Sequence, residues 1–334
     1  MNKELAAALQ SRTTLIEELH AGATDCYRLF HGAVEGRPGM AVDRYGPVLL
    51  VQTWGEPPQA TELESIKSQV DQFLSKDLVL VCNHRGHERS FDEAFPLSTE
   101  AKAICDSAVA TEQGMIFDAR PRHHGKDPLL FLDFRVGRRW VREVASDASV
   151  LNLFAYTCGI GVAAMAGGAR RVVNVDFSSR VLDIGRANAE RNDFDKKTFV
   201  TLAEDAIPIL RQLAGLAVKG RGRQGRKYKR IEAEQFDIVV LDPPRWAKSA
   251  FGAVDLVRDY QSLFKPALLA TRPEGQMLIT NNVAEVAFAD WLDAVQRCAA
   301  KAERPIKSWQ LLVPDLDFPS PDERHPLKML LLSV

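Results

Sequence analysis

The sequence predicts an α/β protein with a doubly wound, Rossmann-like sheet, preceded by a smaller N-terminal α/β accessory domain. From Val150 onward, short apolar segments alternate with segments of helical periodicity, as in parallel strands joined by helical crossovers. A glycine-bearing turn follows the first of these strands, and the second strand ends on Asp176. The fourth strand leads directly into Asp242, Pro243 and Pro244. This order is typical of a nucleoside-binding fold.

Length and charge limit the possible classes of protein. The chain has 334 residues, which is long enough for two domains. Of these residues 46% are hydrophobic and 26% are charged, which is ordinary for a globular protein. We predict an accessory domain over residues 1–115, with a role in RNA binding, and a second domain over residues 116–334. The formal net charge is −1, so binding of nucleic acid would have to use local basic patches.

Cysteine content and hydropathy predict a cytoplasmic protein without a metal site or a membrane span. The five cysteines include no C-x-x-C pair and no Cys/His cluster with zinc spacing, which favours reduced thiols. Residues 150–169 carry no charge, but they contain four glycines together with Asn152 and Thr157. A buried strand followed by a helix start explains this segment better than a bilayer crossing does.

The elements of the first domain follow from local patterns. Helical periodicity predicts helices over residues 1–20 and 61–74, whereas residues 25–54 and 77–82 read as short strands and turns. The pattern of residues 114–133 predicts strands around a loop, and a basic helix is expected to begin at residue 135.

The second domain is predicted to contain seven strands with helices in most of the gaps. The expected strands are residues 150–154, 172–176, 198–202, 236–241 and 276–281, with two more near 308–313 and 327–333. A segment with seven cations and no anion, residues 219–230, interrupts this alternation. We expect a loop that either contacts RNA phosphates or is simply solvated. Its candidate substrate contacts are Arg221, Arg223, Arg226 and Lys227.

A nucleoside site is predicted at the turn after the strand at residues 150–154. Gly159 and Gly161 would let the backbone approach a ligand closely, and the following helix would direct its amide-rich end toward it. Asp176 would accept hydrogen bonds from ribose hydroxyls, and Glu204 or Asp205 would accept one from the adenine amino group. The remaining candidates for contact with the cofactor are Asn152, Phe154, Tyr156, Thr157, Phe177 and Asp242.

A second ligand is predicted at Asp242, Pro243 and Pro244, because ligands of open α/β sheets bind beyond the carboxyl ends of the strands. The two prolines remove amide donors and leave a rigid edge of carbonyl oxygens beside one carboxylate. That edge suits a flipped base, on which Trp246 would stack while Arg245 contacts the substrate. A plain turn is the alternative interpretation.

The two sites together favour a methyltransferase that uses S-adenosylmethionine and acts on a nucleic acid base. A nicotinamide oxidoreductase is an alternative, because Gly159, Gly161 and Ala164 also fit the dinucleotide fingerprint. Four residues separate the strand from the first glycine, however, which spoils a tight pyrophosphate turn. An RNA-binding protein without catalytic activity is a third possibility.

At these residues the sequence resembles the bacterial 23S ribosomal RNA large-subunit methyltransferases of the RlmI and RlmK type. The resemblance covers most of the chain and rests on residues 26–30, 39–46, 131–135, 152–157 and 242–245. It implies S-adenosylmethionine as cofactor and 23S ribosomal RNA as substrate. It also implies that Phe131, Asp133 and Arg135 close over the cofactor.

Two features of the chain are informative when it is compared with the family: the first concerns the shape of a turn and the second concerns the product. Cys158 stands where the family usually has glycine, so the turn is expected to differ in shape. The strand near residues 276–281 ends in Asn281 and Asn282, as in the guanine-N7 branch, and lacks the cysteine of the cytosine-modifying branch. Carbon 5 of cytosine needs a cysteine nucleophile. We therefore favour a ring nitrogen of guanine, with Asn281 and Asn282 reading the base, and keep cytosine C5 as the alternative.

Overall fold

The computed structural model describes residues 2–85, 95–123, 125–218, 228–249, 252–255, 257, 259–322 and 324–334. The chain divides into two compact units. Unit one comprises Met1–Arg135 and Pro314–Arg324, and unit two comprises Val136–Val313 and His325–Val334. A short late segment, Pro314–Arg324, thus belongs to unit one, and the domain boundary expected at residue 115 stays a prediction.

Unit one contains a four-stranded sheet and a separate hairpin. Its helices are α1 (Asn2–Ser11), α2 (Thr13–Ala21), α3 (Ala60–Leu74) and α4 (Thr99–Asp106), and its strands are β1 (Cys26–His31), β2 (Met40–Tyr45), β3 (Val48–Thr53), β4 (Val79–His84), β5 (Val109–Glu112) and β6 (Met115–Asp118). Strands β1 to β3 are antiparallel, β4 is parallel to β3, and β5 pairs with β6.

The helix predicted over residues 1–20 is two helices that meet at Arg12. The side chain of Arg12 is 1% exposed, and its guanidinium donates hydrogen bonds to the Ala8 carbonyl and to both oxygens of Glu35. Satisfying a buried guanidinium in this way takes precedence over continuing the helix, because an unpaired buried charge costs several kcal/mol. Periodicity alone does not reveal such a tertiary ion pair.

Unit two contains the seven predicted strands. After α5 (Arg135–Val144) the elements are β7 (Ser149–Leu153), α6 (Gly159–Ala166), β8 (Arg171–Asp176), α7 (Ser179–Arg191), β9 (Phe199–Ala203), α8 (Ala206–Leu213), β10 (Phe236–Leu241), β11 (Trp246–Ser249), β12 (Gly252–Asp255), α9 (Gln261–Leu269), β13 (Thr271–Asn281), α10 (Phe288–Lys301), β14 (Ser308–Leu312) and β15 (Lys328–Ser333). The hairpin of β11 and β12, directly after the Asp-Pro-Pro turn, was not predicted.

The strand order of the large sheet is β14-β15-β13-β10-β7-β8-β9. All neighbours are parallel except β15, which is antiparallel to both β13 and β14. Helices α8, α9 and α10 contribute to the buried core on one face of this sheet. None of the described helices is long and apolar enough to cross a bilayer.

The direction of winding changes between β7 and β10, because the chain adds β8 and β9 on one side of β7 and later strands on the other. Leu153 and Leu241 are register partners at the carboxyl ends of these two strands. The loops that follow β7 and β10 therefore leave the sheet side by side. In doubly wound folds this position is the ligand crevice.

Candidate active site

Backbone strain is concentrated in the loop between β7 and α6. Phe154, Tyr156 and Cys158 have φ values of 59°, 51° and 61°. Left-handed conformations of residues other than glycine cost on the order of 1–3 kcal/mol each and persist only where the surroundings impose them. Three such residues at alternate positions indicate that this loop serves a purpose other than connecting two elements.

The loop is held in place by the end of β8. The Ala155 amide donates to the Val175 carbonyl at 3.0 Å, and the Tyr156 amide donates to Oδ2 of Asp176 at 3.0 Å. Within the loop, the Cys158 amide donates to the Ala155 carbonyl at 2.8 Å. These bonds fix the alternating left-handed residues.

The structure gives a packing role to one of the two predicted glycines, and their predicted role at the ligand stays a prediction. Gly159 and Gly161 lie inside α6, and neither has a positive φ. A Cβ atom on Gly161 would lie 2.3 Å from Oδ1 of Asn174 on β8. Gly161 therefore allows α6 to pack closely on the sheet, whereas the turn itself is made by the three residues named above.

Cys158 occupies the N-cap position of α6 in the left-handed conformation. Its thiol is buried, and burial raises its pKa well above the ordinary value. A Cβ atom on Gly185 of α7 would lie 2.4 Å from Sγ of Cys158. Residue 185 is a glycine without a side chain, and this leaves room for the side chain of Cys158.

Asn152 and Thr157 lie beneath the crevice rather than at its surface, and each is 2% exposed. Nδ2 of Asn152 donates to Oδ1 of Asn174 at 2.9 Å, and Asn174 donates onward to the Val200 carbonyl at 3.3 Å. This amide chain links β7, β8 and β9. The Thr157 carbonyl accepts a hydrogen bond from Asn188 at 3.2 Å.

Asp176 ends β8 at the rim of the crevice. Its two oxygens accept the Tyr156 and Ser178 amides at 3.0 and 2.9 Å. Burial raises the pKa of Asp176, and these amide donors oppose the shift. The Phe177 amide acts on the carboxylate in the same direction. A carboxylate has four lone-pair sites, so Asp176 keeps capacity for a further donor. The next residue, Phe177, is 79% exposed.

Asp205 follows β9 at the same edge. Its Oδ1 caps α8 by accepting the Ile207 amide at 2.9 Å. Its Oδ2 is buried and has no hydrogen-bond partner in the described part of the chain. The neighbouring Glu204 is half-buried, and its amide donates to the Asp176 carbonyl at 3.0 Å. Asp205 thus presents an unused acceptor, which in native proteins calls for a partner.

The Asp-Pro-Pro turn follows β10. Oδ1 of Asp242 accepts a short hydrogen bond from the Thr280 hydroxyl on the neighbouring strand β13. Pro243 is buried, whereas Pro244 and Arg245 are exposed. Arg245 forms an exposed ion pair with Glu285 at 3.2 Å. The turn is therefore anchored at its carboxylate and open at its second proline.

Several predicted substrate residues fall outside the described part of the structure. These are Arg221, Arg223, Arg226 and Lys227 of the basic segment, together with the side chain of Trp246. Their roles stay predictions.

The two asparagines after β13 differ in accessibility. Asn281 is fully buried, and its Oδ1 accepts the Val283 amide at 3.0 Å, as in a strand-ending turn. Asn282 is exposed. Asn282 is therefore the more accessible of the two predicted base readers, and Asn281 shapes the turn that presents it.

Phe131, Asp133 and Arg135 belong to unit one. Arg135 is 1% exposed and donates to Asp315 at 3.0 Å, to both oxygens of Asp317 at 3.2 and 3.0 Å, and to the Cys26 carbonyl at 3.1 Å. These bonds give Arg135 a structural role within unit one. The predicted role of the three residues at the cofactor stays a prediction.

Sequence reasoning missed three residues around the Asp-Pro-Pro turn. Thr280 bonds to Asp242, and burial together with the Asp242 charge raises the pKa of Tyr260 far above its ordinary value. Lys328, at the start of β15, donates to the Val283 carbonyl at 2.8 Å, and burial lowers its pKa. Of these three residues, only Lys328 could have been noticed in the sequence, because it is a cation at the first position of an apolar strand.

Within the described residues, no group of three or more His, Cys, Asp or Glu side chains is arranged to hold a metal ion. The polar groups at the crevice are carboxylate, carbonyl and amide groups of a kind that bind an organic ligand.

Comparison with known proteins identifies the family of the chain. Residues 27–333 match the S-adenosylmethionine-dependent methyltransferase family. The chain belongs to this family. Membership decides against the nicotinamide oxidoreductase considered from the sequence, and S-adenosylmethionine is the cofactor of the family.

Curated relatives of this methyltransferase chain carry the name ribosomal RNA large subunit methyltransferase I. The protein from Aeromonas salmonicida is 29% identical over 282 residues, which cover 83% of this chain and 65% of that protein. The protein from Cronobacter sakazakii is 29% identical over 262 residues, which cover 76% of this chain and 60% of that protein. The chain thus spans less than two thirds of the length of these relatives.

Solved structures confirm the predicted fold of the methyltransferase chain. SMU.776, a methyltransferase candidate solved in complex with SAH, superposes with a TM-score of 0.77 at 20% identity, covering 100% of this chain and 80% of that chain. A SAM-dependent methyltransferase from Agrobacterium tumefaciens gives a TM-score of 0.60 at 17% identity, covering 93% of this chain and 90% of that chain.

The residues of the crevice fit the cofactor of the family. The unpartnered Oδ2 of Asp205 suits an amino group, and the remaining acceptor capacity of Asp176 suits a hydroxyl donor. S-adenosylmethionine carries both kinds of donor, on its adenine and its ribose.

Proposed function

We propose that the protein transfers a methyl group from S-adenosylmethionine to a base of large-subunit ribosomal RNA. The observation that carries this proposal is the series of acceptors at one edge of the sheet. Asp176 ends β8, Asp205 and Asp242 follow β9 and β10, and the strained loop after β7 leaves the sheet at the same edge. The edge thus offers a nucleoside site next to a second site for a donor-bearing ring.

The cofactor side is assigned from the acceptors that the protein leaves unused. Asp176 accepts from the ribose hydroxyls while holding the loop through Tyr156, and Oδ2 of Asp205 accepts from the adenine amino group. The exposed ring of Phe177 stacks on adenine. Bound in this way, the cofactor supplies an activated methyl group, and the protein contributes alignment.

The substrate side is assigned from the turn after β10. Pro243 and Pro244 have no amide hydrogen, so the turn presents carbonyl oxygens together with the Asp242 carboxylate. Thr280 fixes the rotamer of that carboxylate, which then accepts hydrogen bonds from amino and imino groups of a flipped base. Asn282 and Arg245 lie exposed on the adjoining loops as further contacts. We propose that the basic segment at residues 219–230 contributes phosphate contacts.

The cysteines of unit two support methylation of a ring nitrogen of guanine. Attack on carbon 5 of cytosine requires a thiolate beside the base. Cys158 and Cys298 are both buried, and burial raises the pKa of each. A nitrogen lone pair needs no such nucleophile, so alignment of sulfur, methyl group and nitrogen suffices.

Mass spectrometry of nucleosides tests the proposal. Ribosomal RNA that lacks the modification is incubated with the protein and with S-adenosylmethionine labelled in its methyl group, and is then digested. We expect label in a methylguanosine. Label in 5-methylcytidine would refute the nitrogen assignment, and RNA without label would refute the proposed activity. If Asp242→Ala still transfers label normally, the substrate site is wrongly assigned.

A further inference from the structure

A cleft of about 490 Å³ with a cationic lining lies between helices α9 and α10 of unit two. Its lining includes Gln261, Ser262 and Lys265 from α9 and Arg297, Cys298 and Lys301 from α10. Three of these side chains are cations, and none is an acid. The proposed active site uses none of them.

The cations of the cleft are poorly neutralised. Arg297 pairs with the exposed Asp293 one turn earlier on α10, at 2.7 Å. Lys265 and Lys301 have no acidic partner in the described part of the chain. Both lysine charges act on the buried thiol of Cys298, because each opposes the rise of its pKa that burial causes. Lys265 and Lys301 thus line the same cleft from two different helices.

Such convergence is unfavourable without an anion. Arg297 and Lys301 lie four residues apart on one helix face, where like charges repel. Lys265 adds a third positive charge from the opposite wall. An anion in the cleft would remove this repulsion.

The topology places one end of the cleft toward the active-site edge of the sheet. Strand β10 ends at that edge, and α9 returns from it to the start of β13. The first turn of α9, with Gln261 and Ser262, therefore lies on the side of the sheet that carries Asp242. From there the cleft extends along α9 and α10.

We propose that this cleft binds backbone phosphates of the RNA strand that flanks the target nucleotide. This inference rests on the proposed function. The six lining residues named above include no aromatic ring for base stacking, so the cleft would position the strand and not read its sequence. A free polyphosphate has the same chemistry, and the experiment separates the two sources.

Salt dependence of RNA binding tests the cleft. The variant Lys265→Glu/Lys301→Glu is compared with Lys196→Glu/Lys197→Glu, which changes the net charge equally on the turn between α7 and β9. Fluorescence anisotropy with a labelled single-stranded RNA is measured from 50 to 300 mM KCl. Each lost phosphate contact lowers the slope of log affinity against log salt by about 0.7, so the cleft variant should lose about 1.4. The control variant should keep the wild-type slope.

Equal slopes in the two variants would overturn the inference. Calorimetric titration with inorganic tripolyphosphate forms the second arm. If the cleft variant loses tripolyphosphate binding but keeps the wild-type RNA slope, the site takes a free polyanion and the assignment to RNA is wrong. These readouts do not depend on methyl transfer. A wild type that transfers no methyl group would refute the proposed function and leave the salt slopes to decide the cleft separately.

Discussion

Three residues of the β7–α6 loop hold conformations that glycine would adopt more easily, and Cys158 shows how one of them is accommodated. Its thiol fills the space that Gly185 leaves open on α7. The two positions should therefore be energetically coupled, since a side chain at either one limits what the other can hold.

We predict that Gly185→Ala destabilises the protein by about 1–3 kcal/mol, because its methyl group would clash with Sγ of Cys158. In a Cys158→Gly background the same substitution should cost much less. Differential scanning calorimetry of the four proteins measures the coupling. Effects that add to within about 0.5 kcal/mol would show that the two sites are independent.

The ionisation of Asp176 should act on stability and on ligand binding with opposite signs. Burial raises its pKa above the ordinary 3.8, so the fold without ligand binds this proton more tightly than the unfolded chain does. Its contribution to stability therefore falls as pH rises through the interval between the ordinary and the raised value. A ribose diol prefers the ionised form, because only that form accepts at both oxygens without donating.

We therefore predict that affinity for S-adenosylhomocysteine falls as pH is lowered toward the raised pKa of Asp176. Isothermal titration calorimetry at decreasing pH from 7.5, down to the lowest pH at which circular dichroism shows a folded protein, measures this change. Asp176→Asn should bind more weakly and lose this pH dependence. If wild type and variant respond to pH alike, Asp176 is not the group that titrates.

At the scale of elements, Asp205 at the start of helix α8 has a structural role as N-cap and a proposed role as a ligand of the cofactor. Oδ1 of Asp205 caps the helix, and Oδ2 is left without a partner. A substitution that keeps the cap and removes the second oxygen separates the two roles.

We predict that Asp205→Ser keeps the stability of the protein to within about 0.5 kcal/mol, since serine is an equivalent N-cap. Its affinity for S-adenosylmethionine should fall about tenfold or more, the loss of one hydrogen bond to a charged group. Asp205→Ala, which removes the cap as well, should lose both stability and affinity. Unchanged affinity in the serine variant would place the adenine elsewhere.

The strands were predictable from the sequence, whereas the conformation and burial of individual site residues were not. Apolar runs that end in Asp176 and Asp242 identified the sheet and its carboxyl edge, because burial and strand period depend on local sequence. The strain at Phe154 and Tyr156 and the burial of Asn281 arise from contacts with neighbouring strands. Local patterns in a single sequence do not reveal those contacts.

At the scale of the whole molecule, the chain leaves unit two after Val313 and contributes Pro314–Arg324 to unit one. This segment is tied down by Asp317, which is fully buried, accepts from Arg135 with both oxygens, and also accepts the Arg28 amide at 3.0 Å. Sequence proximity could not reveal this return, since the partners are far apart along the chain.

We predict that Asp317→Asn lowers the stability of the protein by about 3 kcal/mol, because it removes one partner of a buried ion pair. Asp322→Asn serves as the matched control, since Asp322 lies exposed in the same segment. That control should stay within about 0.5 kcal/mol of wild type. Chemical denaturation followed by circular dichroism measures both. Equal stability of the two variants would show that the ion pair contributes little.

We propose that methyl transfer to RNA takes place at the edge of the sheet that carries Asp242. Single-turnover transfer from labelled S-adenosylmethionine, compared between wild type and Asp242→Asn, tests it most directly. Wild type should transfer label to the RNA, and the variant should be slower by about 100-fold or more while melting at the wild-type temperature. Equal transfer rates in the two proteins, or no transfer by wild type, would contradict the claim.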